Sequence, residues 1–355
     1  MKILITGNMG YIGPSVVERL RESFPGSLIV GLDMGYFASC LTNTEILPEC
    51  GIDLQYFADV RNFSNDLLKD VDVIVHLAAI SNDPMGNKFE KVTTDINYRA
   101  SIELAKRGKE VGVKTFVYAS SCSMYGSADD RPRTEESPLN PLTAYAKSKV
   151  FAEKDLEKLA DKSFKVTSLR FSTACGMSKR LRLDLVLNDF VAGAISSKKI
   201  TIMSDGTPWR PLINIKDMAR AIDWAISREI SNGGEFLAVN VGSDEWNYQV
   251  RDLAEAVQKV IPDVDVSINK NAQPDKRSYK VSFDLFKELA PDYQPRVDLI
   301  SSIKELKNGL EAMNFNNSDF RNSTFMRLSV LADLRSKGLL TEELEWAHNE
   351  RPITN

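Results

Sequence analysis

Met1-Lys2-Ile3-Leu4-Ile5-Thr6-Gly7-Asn8-Met9-Gly10-Tyr11-Ile12-Gly13-Pro14 runs from a short apolar segment straight into three glycines spaced by three. The apolar run has the length of a buried strand and is too short for a signal-peptide core. Glycine after such a strand permits a tight turn, a close approach of backbone to a pyrophosphate, and close packing of the next helix on the sheet. The N-terminus of that helix then favours the negative charge. Pro14 suits the first helical turn. Strand, glycine loop and helix in this order are the fingerprint of a dinucleotide-binding βαβ unit, with Gly7, Met9, Gly10, Tyr11, Ile12 and Gly13 as candidate cofactor contacts.

The same alternation continues downstream. Strand-like runs at 2–6, 27–32, 54–58, 73–78, 115–119 and 166–170 alternate with helical stretches at 11–23, 97–111 and 145–160. Right-handed βαβ units of this kind build a doubly wound parallel sheet, an α/β Rossmann fold. After Phe171 the rhythm breaks at Lys179-Arg180-Leu181-Arg182, and an apolar helix is expected over 184–196. We therefore expect a dinucleotide-binding domain over 1–170, with a returning segment near 212–242 announced by Gly233-Gly234. A smaller C-terminal α/β substrate-binding cap is expected over 171–211 and 243–355, ending in a helical tail from Phe320.

Composition narrows the chemistry. Across 355 residues, 49 acidic and 45 basic side chains give a net charge of −4, which argues against a nucleic-acid-binding surface. Four cysteines, Cys40, Cys50, Cys122 and Cys175, form no C-x-x-C pair, so reduced thiols and no structural zinc are expected. The two histidines, His76 and His348, are too few for a multi-histidine metal site, and a Ser-His-Asp triad is improbable. His76 reads as a hydrogen-bonded structural residue at a strand end. No run approaches the 18 apolar residues of a membrane span, and a cytoplasmic protein is expected.

Asp33 ends the second strand-like run 20 residues after Gly13, where a carboxylate accepts hydrogen bonds from the adenosine ribose hydroxyls. No Lys or Arg occurs between Glu22 and Val60, so a 2′-phosphate would meet Asp33 without a sequence-local cation, and NAD is preferred over NADP. Asp59 and Val60 follow the third strand and suit an adenine contact, although a strand-end aspartate is commonly only a turn residue. Tyr145 and Lys149 lie four apart on one helical face. An ammonium and a cationic nicotinamide both lower a nearby phenol's pKa, making it a base. Ser120-Ser121-Cys122-Ser123 stands at a strand end on the side where ligands bind in parallel sheets.

With these elements the sequence resembles the extended short-chain dehydrogenase/reductase family, in particular its nucleotide-sugar epimerases and dehydratases of the UDP-galactose 4-epimerase type. The matching residues are Gly7 to Gly13, Asp33, Asp59, His76-Leu77-Ala78-Ala79, Asn97, Ser121 before Tyr125-Gly126, Tyr145-x-x-x-Lys149, and Trp209-Arg210-Pro211-Leu212-Ile213-Asn214-Ile215-Lys216-Asp217, over about residues 1–280. The resemblance implies Tyr145 as catalytic base, Lys149 as its pKa modulator and ribose anchor, and Ser121 as partner of the sugar hydroxyl. It implies cofactor contacts at Leu77, Ala78, Ala79 and Asn97 and phosphate contacts at Arg210 and Arg277. A homodimer pairing the helices near 97–111 and 145–160 is also implied.

Two departures from that pattern matter. The family's Leu-Arg-x-x-Asn is here Leu169-Arg170-Phe171-Ser172-Thr173, so Thr173 replaces the sugar-binding asparagine. Asn188 and Arg182 are further substrate candidates, for the diphosphate, against the alternatives of polar surface and a solvated basic face. Secondly, the Asp-Glu pair of the dehydratases is here Cys122-Ser123, which removes the obvious acid for water elimination. Cys122 is a candidate substrate contact, and a small buried cysteine fits the same position. The reading that follows is an NAD-dependent nucleotide-diphosphate-sugar epimerase acting at carbon 4. The alternatives are a keto-sugar reductase or another nucleotide-sugar dehydrogenase or dehydratase of the same family, or a non-catalytic NAD sensor.

Overall fold

The computed structural model describes residues 1–81, 83–127, 131–269 and 278–347. In chain order its strands are β1 (Lys2–Thr6), β2 (Leu28–Asp33), β3 (Leu54–Phe57), β4 (Val73–His76), β5 (Thr115–Ser121), β6 (Lys165–Phe171), β7 (Thr173–Cys175), β8 (Lys199–Ile202), β9 (Trp209–Asn214), β10 (Phe236–Val241), β11 (Asn247–Gln249) and β12 (Asp265–Ile268). The helices are α1 (Gly13–Ser23), α2 (Asp83–Lys88), α3 (Glu90–Thr94), α4 (Ser101–Glu110), α5 (Ala144–Leu159), α6 (Val186–Ser197), α7 (Ile215–Ser227), α8 (Val250–Val260), α9 (Asp284–Leu289), α10 (Leu299–Ala312) and α11 (Arg327–Ser336).

Seven strands form one parallel sheet in the order β10-β6-β5-β4-β1-β2-β3. Successive side chains on a strand point to opposite faces, and helices cover both, so the central strands are apolar throughout. One face sets Ile3, Ile5, Val75 and Val117 against Val16 and Leu20 of α1 and Ile222 and Ala225 of α7. The other sets Leu4, Ile74, Phe116 and Val166 against Leu104 of α4 and Leu156 of α5. The chain winds outward from β1 through β2 to β3, then crosses back to β4 on the other side of β1. That reversal opens a crevice at the carboxyl ends of β1 and β4.

Beyond β6 the chain builds two small sheets, β11-β9-β7 and β12-β8. Cys175, Ile200, Ile202, Leu212 and Ile213 of these strands, with Phe190 of α6, Leu253 of α8 and Ile303 of α10, belong to the same core cluster as the first face of the main sheet. β10 returns beside β6 as the sheet's edge, and Gly233 and Gly234 before it adopt φ of +100° and +83°.

Several boundaries differ from the sequence reading. β4 stops at His76, because Leu77 and Ala78 turn across the glycine loop instead of extending. β5 runs on to Ser121, paired to Phe171 of β6. A π-helical turn, Asp95–Ala100, precedes α4. The tail beyond Phe320 is helical only in a short 3-10 turn, Phe320–Asn322, and in α11. After Lys337, Gly338 adopts φ +66° and the described remainder, to residue 347, is irregular. No described helix is long and apolar enough to cross a membrane.

Candidate active site

Two glycines shape the loop after β1. Gly7 has φ +76°, and a Cβ there would lie 2.6 Å from the Ala78 amide nitrogen. A Cβ on Gly13 would meet the Asn8 carbonyl oxygen at 1.9 Å. Helix α1 starts with no side-chain cap on its N-cap residue, Ile12, and no acidic residue in its first turn. Its first amide groups and positive dipole end are therefore left to an anion. Backbone that no side chain can fill, ending on a helix start that lacks an acid, fits a dinucleotide pyrophosphate.

This loop forms one wall of a cavity of about 730 Å³ that runs along the carboxyl ends of the sheet. At one end lie Asp33, Tyr36, Phe37, Asp59 and Val60, and at the other Ser121, Tyr145 and Lys149. Asp33 accepts from the Met9 amide at 3.0 Å and the Gly35 amide at 2.7 Å, which fixes its carboxylate at the strand end. Burial raises its pKa, against those two amides. Asp59 grips Arg61 through contacts of 2.6 to 3.0 Å, and Arg180, folded back from the distant basic cluster, is paired to Glu49 at 2.8 Å. Arg61 and Arg180, two cations near the adenosine end, are thus already neutralised.

At the other end, Thr143 caps α5 by accepting from the Ala146 amide at 3.2 Å, which starts the helix one residue before Tyr145. Tyr145 shares a hydrogen bond with Ser121, yet burial outweighs it and pushes the phenol up to about 12. Ser121 Oγ accepts from the Ser123 amide at 3.1 Å, leaving its own hydrogen free to donate. Lys149 Nζ donates to the Ala119 carbonyl at 2.6 Å and stands 4.6 Å from the Tyr118 ring centroid and 5.6 Å from that of Tyr145. Burial pulls Lys149 down to about 7, so near neutrality it carries only part of a charge. One helical turn on, Glu153 accepts from Ser120 Oγ at 2.5 Å and pairs with Arg170 at 2.8 Å, both buried, which locks α5 onto β5 and β6.

Not every sequence candidate reaches the cavity. Gly7, Gly10, Tyr11, Ile12, Gly13, Asp33, Asp59, Val60, Leu77, Ala78, Ala79, Ser121, Tyr145, Lys149, Thr173, Arg182 and Arg210 line it. Cys122 does not. Its 3-10 turn directs the thiol into the sheet, where Sγ donates to the Arg170 carbonyl at 3.0 Å and burial raises its pKa far above the thiol range. Asn188 is wholly buried, bonding the Gly176 amide, Tyr11 Oη and the Arg182 carbonyl, so it orders the loop instead of facing a ligand. Asn97 clasps the backbone of Ile80 at 2.8 and 3.0 Å, and Met9 is buried off the cavity wall with its amide spent on Asp33 at 3.0 Å. Arg277 lies outside the described residues, as does His348. Arg182, read as a diphosphate contact or solvated face, is buried and paired with Asp184 at 2.5 Å.

The cavity also holds residues that the sequence reading passed over. Ser123 Oγ is buried there without a partner among the described residues, one position after Cys122. Asp83 accepts from Thr143 Oγ1 at 2.6 Å. Ser81 accepts from Arg182 at 2.8 Å. Arg321, Met326 and Arg327 arrive from the tail. Neither spacing nor an apolar period in the sequence pointed to Ser123 or to the tail.

A model of the NAD dependent epimerase/dehydratase family matches residues 3–242, from β1 to the end of β10. An uncharacterised UDP-glucose epimerase of Bacillus subtilis strain 168 is 31% identical over 254 residues, 69% of this chain and 78% of its own length. UDP-glucuronic acid decarboxylase 6 of Arabidopsis thaliana is 25% identical over 339 residues, 93% of this chain and 90% of its own. The fold is shared with a UDP-glucuronic acid 4-epimerase from Bacillus cereus, solved with UDP-glucuronic acid and NAD, at a TM-score of 0.75 and 22% identity, over 88% of this chain and 100% of that one. A seven-stranded parallel sheet, a glycine loop over its switch point and a sequence match spanning both make this chain an NAD-dependent member of the epimerase/dehydratase family.

Proposed function

We propose that the protein is a nucleotide-diphosphate-sugar epimerase that inverts carbon 4 through a transient keto-sugar. The observation that carries this reading is the convergence of Ser121, Tyr145 and Lys149 on the cavity whose opposite wall is the glycine loop. Bound NAD supplies a reversible hydride acceptor and, when oxidised, a positive charge beside the phenol. Tyr145 accepts the proton of the sugar's 4-hydroxyl. Protein groups alone leave its pKa near 12, so the added positive charge is what brings it toward neutrality. Ser121, fixed by the Ser123 amide, donates to the sugar oxygen, and Lys149 holds the floor of the site through Ala119. The keto-sugar then presents its other face, and Tyr145 returns the proton. No net oxidation occurs.

The relatives' names include 4-epimerases and decarboxylases of UDP-sugars, so a UDP-sugar is the substrate class to try first. Positions 122 and 123 carry no carboxylic acid, which disfavours dehydration and decarboxylation. Of the described carboxylates lining the cavity beyond the adenosine end, Asp83 is engaged by Thr143 and opens α2, Asp184 pairs with Arg182 and Asp189 with Arg321. Thr173, Arg182 and Arg210 line the cavity beyond Tyr145 and are proposed contacts for the sugar diphosphate. A homodimer is proposed through α5, on which Phe151 is 47% exposed and packs 5.8 Å from Tyr98. A cytoplasmic setting is proposed as well, consistent with Cys40, Cys122 and Cys175 buried as free thiols.

The reading is tested with UDP-glucose, UDP-glucuronic acid and UDP-arabinose, following carbon-4 epimers by NMR. Tyr145→Phe should fold and bind NAD like wild type while turning over roughly 10²–10⁴-fold more slowly, the worth of a positioned general base. Wild-type turnover in that variant would overturn the mechanism.

A further inference from the structure

Residues 320–347 lie beyond the family match and form a strap over the cavity. Leu331, Leu340 and Leu344 sink into the core cluster on one face of the sheet. At the adenosine end, Trp346 Nε1 donates to the Met34 carbonyl at 2.7 Å, Tyr36 Oη donates to the Leu344 carbonyl, and Arg61 donates to the Glu343 carbonyl at 2.8 Å. At the cap end, Arg321 pairs with Asp189 at 2.6 Å, and the Leu183 amide donates to the Phe325 carbonyl at 2.9 Å. Between these anchors the strap delivers Arg327 to the cavity wall.

Arg327 is 1% exposed. Among the described residues its Nη2 donates to the Arg180 carbonyl at 2.7 Å and its guanidinium lies 4.5 Å from the Phe37 ring centroid, while Nη1 has no partner. The two other buried arginines nearby are neutralised, Arg180 by Glu49 and Arg182 by Asp184; among the described residues no carboxylate forms an ion pair with Arg327, which feels the Asp184 charge only at longer range. A buried guanidinium with a free donor and no counter-ion is costly unless an anion completes it. Its surroundings say which anion. The Arg180 amide donates to Ser178 Oγ at 3.0 Å, and Ser178 Oγ donates to the Tyr11 carbonyl at 2.7 Å, so Arg327 is tied to the glycine loop just ahead of the α1 N-terminus. Phe37 lies four residues past Asp33. Both marks fall on the dinucleotide half of the cavity.

We propose that Arg327 is a pyrophosphate ligand of the bound dinucleotide, supplied from the C-terminal strap opposite the amides of the glycine loop. The strap thereby closes on the cofactor and slows its release, which suits an enzyme whose cofactor ends each cycle in the state in which it began. The proposal rests on the dinucleotide reading of the cavity. A nucleotide sugar also carries a pyrophosphate, so the test separates the two ligands.

Wild type, Arg327→Met and Arg327→Lys, stripped of cofactor, are titrated calorimetrically with NAD and with adenosine. UDP is titrated into each protein saturated with NAD. Arg327→Met should bind NAD roughly 10- to 100-fold more weakly, the range for losing a charge-assisted hydrogen bond. NADH should leave it correspondingly faster in stopped-flow fluorescence, and its adenosine and UDP affinities should match wild type. Should the methionine variant fail to fold, the lysine variant carries the test. An ammonium lacks the guanidinium's spaced donors for both Arg180 and phosphate, so a several-fold loss for NAD with none for adenosine is expected. Unchanged NAD affinity, equal losses for NAD and adenosine, or a loss for UDP instead would each overturn the assignment. Failure of wild type to bind NAD would instead sink the dinucleotide reading itself.

Discussion

His76 shows how one residue couples to the stability of the site. Wholly enclosed, it bridges Thr6 Oγ1 at 2.6 Å and Ser101 Oγ at 2.7 Å, stacks on Tyr118, and lies near Lys149. Burial, with the Lys149 charge adding to it, pulls its pKa down to about 3. The unfolded chain therefore binds a proton on His76 that the folded chain excludes, between about pH 6.5 and 3. Its contribution is full above the upper value and is lost as the pH falls toward the lower. One such group steepens the pH dependence of unfolding free energy by at most about 1.4 kcal/mol per pH unit. His76→Gln, which can still bond both hydroxyls, should show a shallower loss of denaturant midpoint from pH 6.5 to 4 than wild type. Equal slopes would contradict the buried neutral imidazole. The sequence announced His76 as structural because a lone histidine closing an apolar strand has few chemical partners. It could not announce Cys122's orientation, since a 3-10 turn after β5 rotates Cys122 inward and Ser123 outward, and three polar residues in a row carry no apolar period to reveal that.

At the scale of elements, the parallel strands and α1 were legible because their signal is local: continuous apolar runs, then glycines forced by close approach. α5 was legible for the same reason, and its placement is explained by a feature visible only in three dimensions, the buried Arg170–Glu153 pair with Ser120. The outer face of α5 also has a consequence. Phe151 is 47% exposed beside Tyr98, whose hydroxyl donates to Asp155 at 2.5 Å, an arrangement that leaves an aromatic surface on the helix that the family resemblance assigns to dimerisation. Sedimentation at micromolar concentration should give twice 39.7 kDa, and Phe151→Glu should shift it toward the monomer. A wild-type monomer would refute the pairing. The tail was the least legible element, because its irregular backbone is fixed by distant carbonyls of Met34 and Arg180 and not by its own periodicity.

On the scale of the whole molecule, a cap that shares its core with the sheet, a strap across the crevice and a cavity joining the glycine loop to Tyr145 fit the proposal that cofactor and sugar are enclosed together. Enclosure is what a reaction with no net redox change requires, since a reduced cofactor must wait for the same sugar to turn over. The central claim is therefore the return of the same hydride. The measurement is to incubate the NAD-loaded protein with its UDP-sugar in deuterated water and read both epimers by NMR. Interconversion at carbon 4 with no deuterium on any ring carbon, and no accumulation of reduced cofactor, is the predicted result. Deuterium at carbon 3 or 5, or stoichiometric reduction of NAD with no epimer formed, would contradict it.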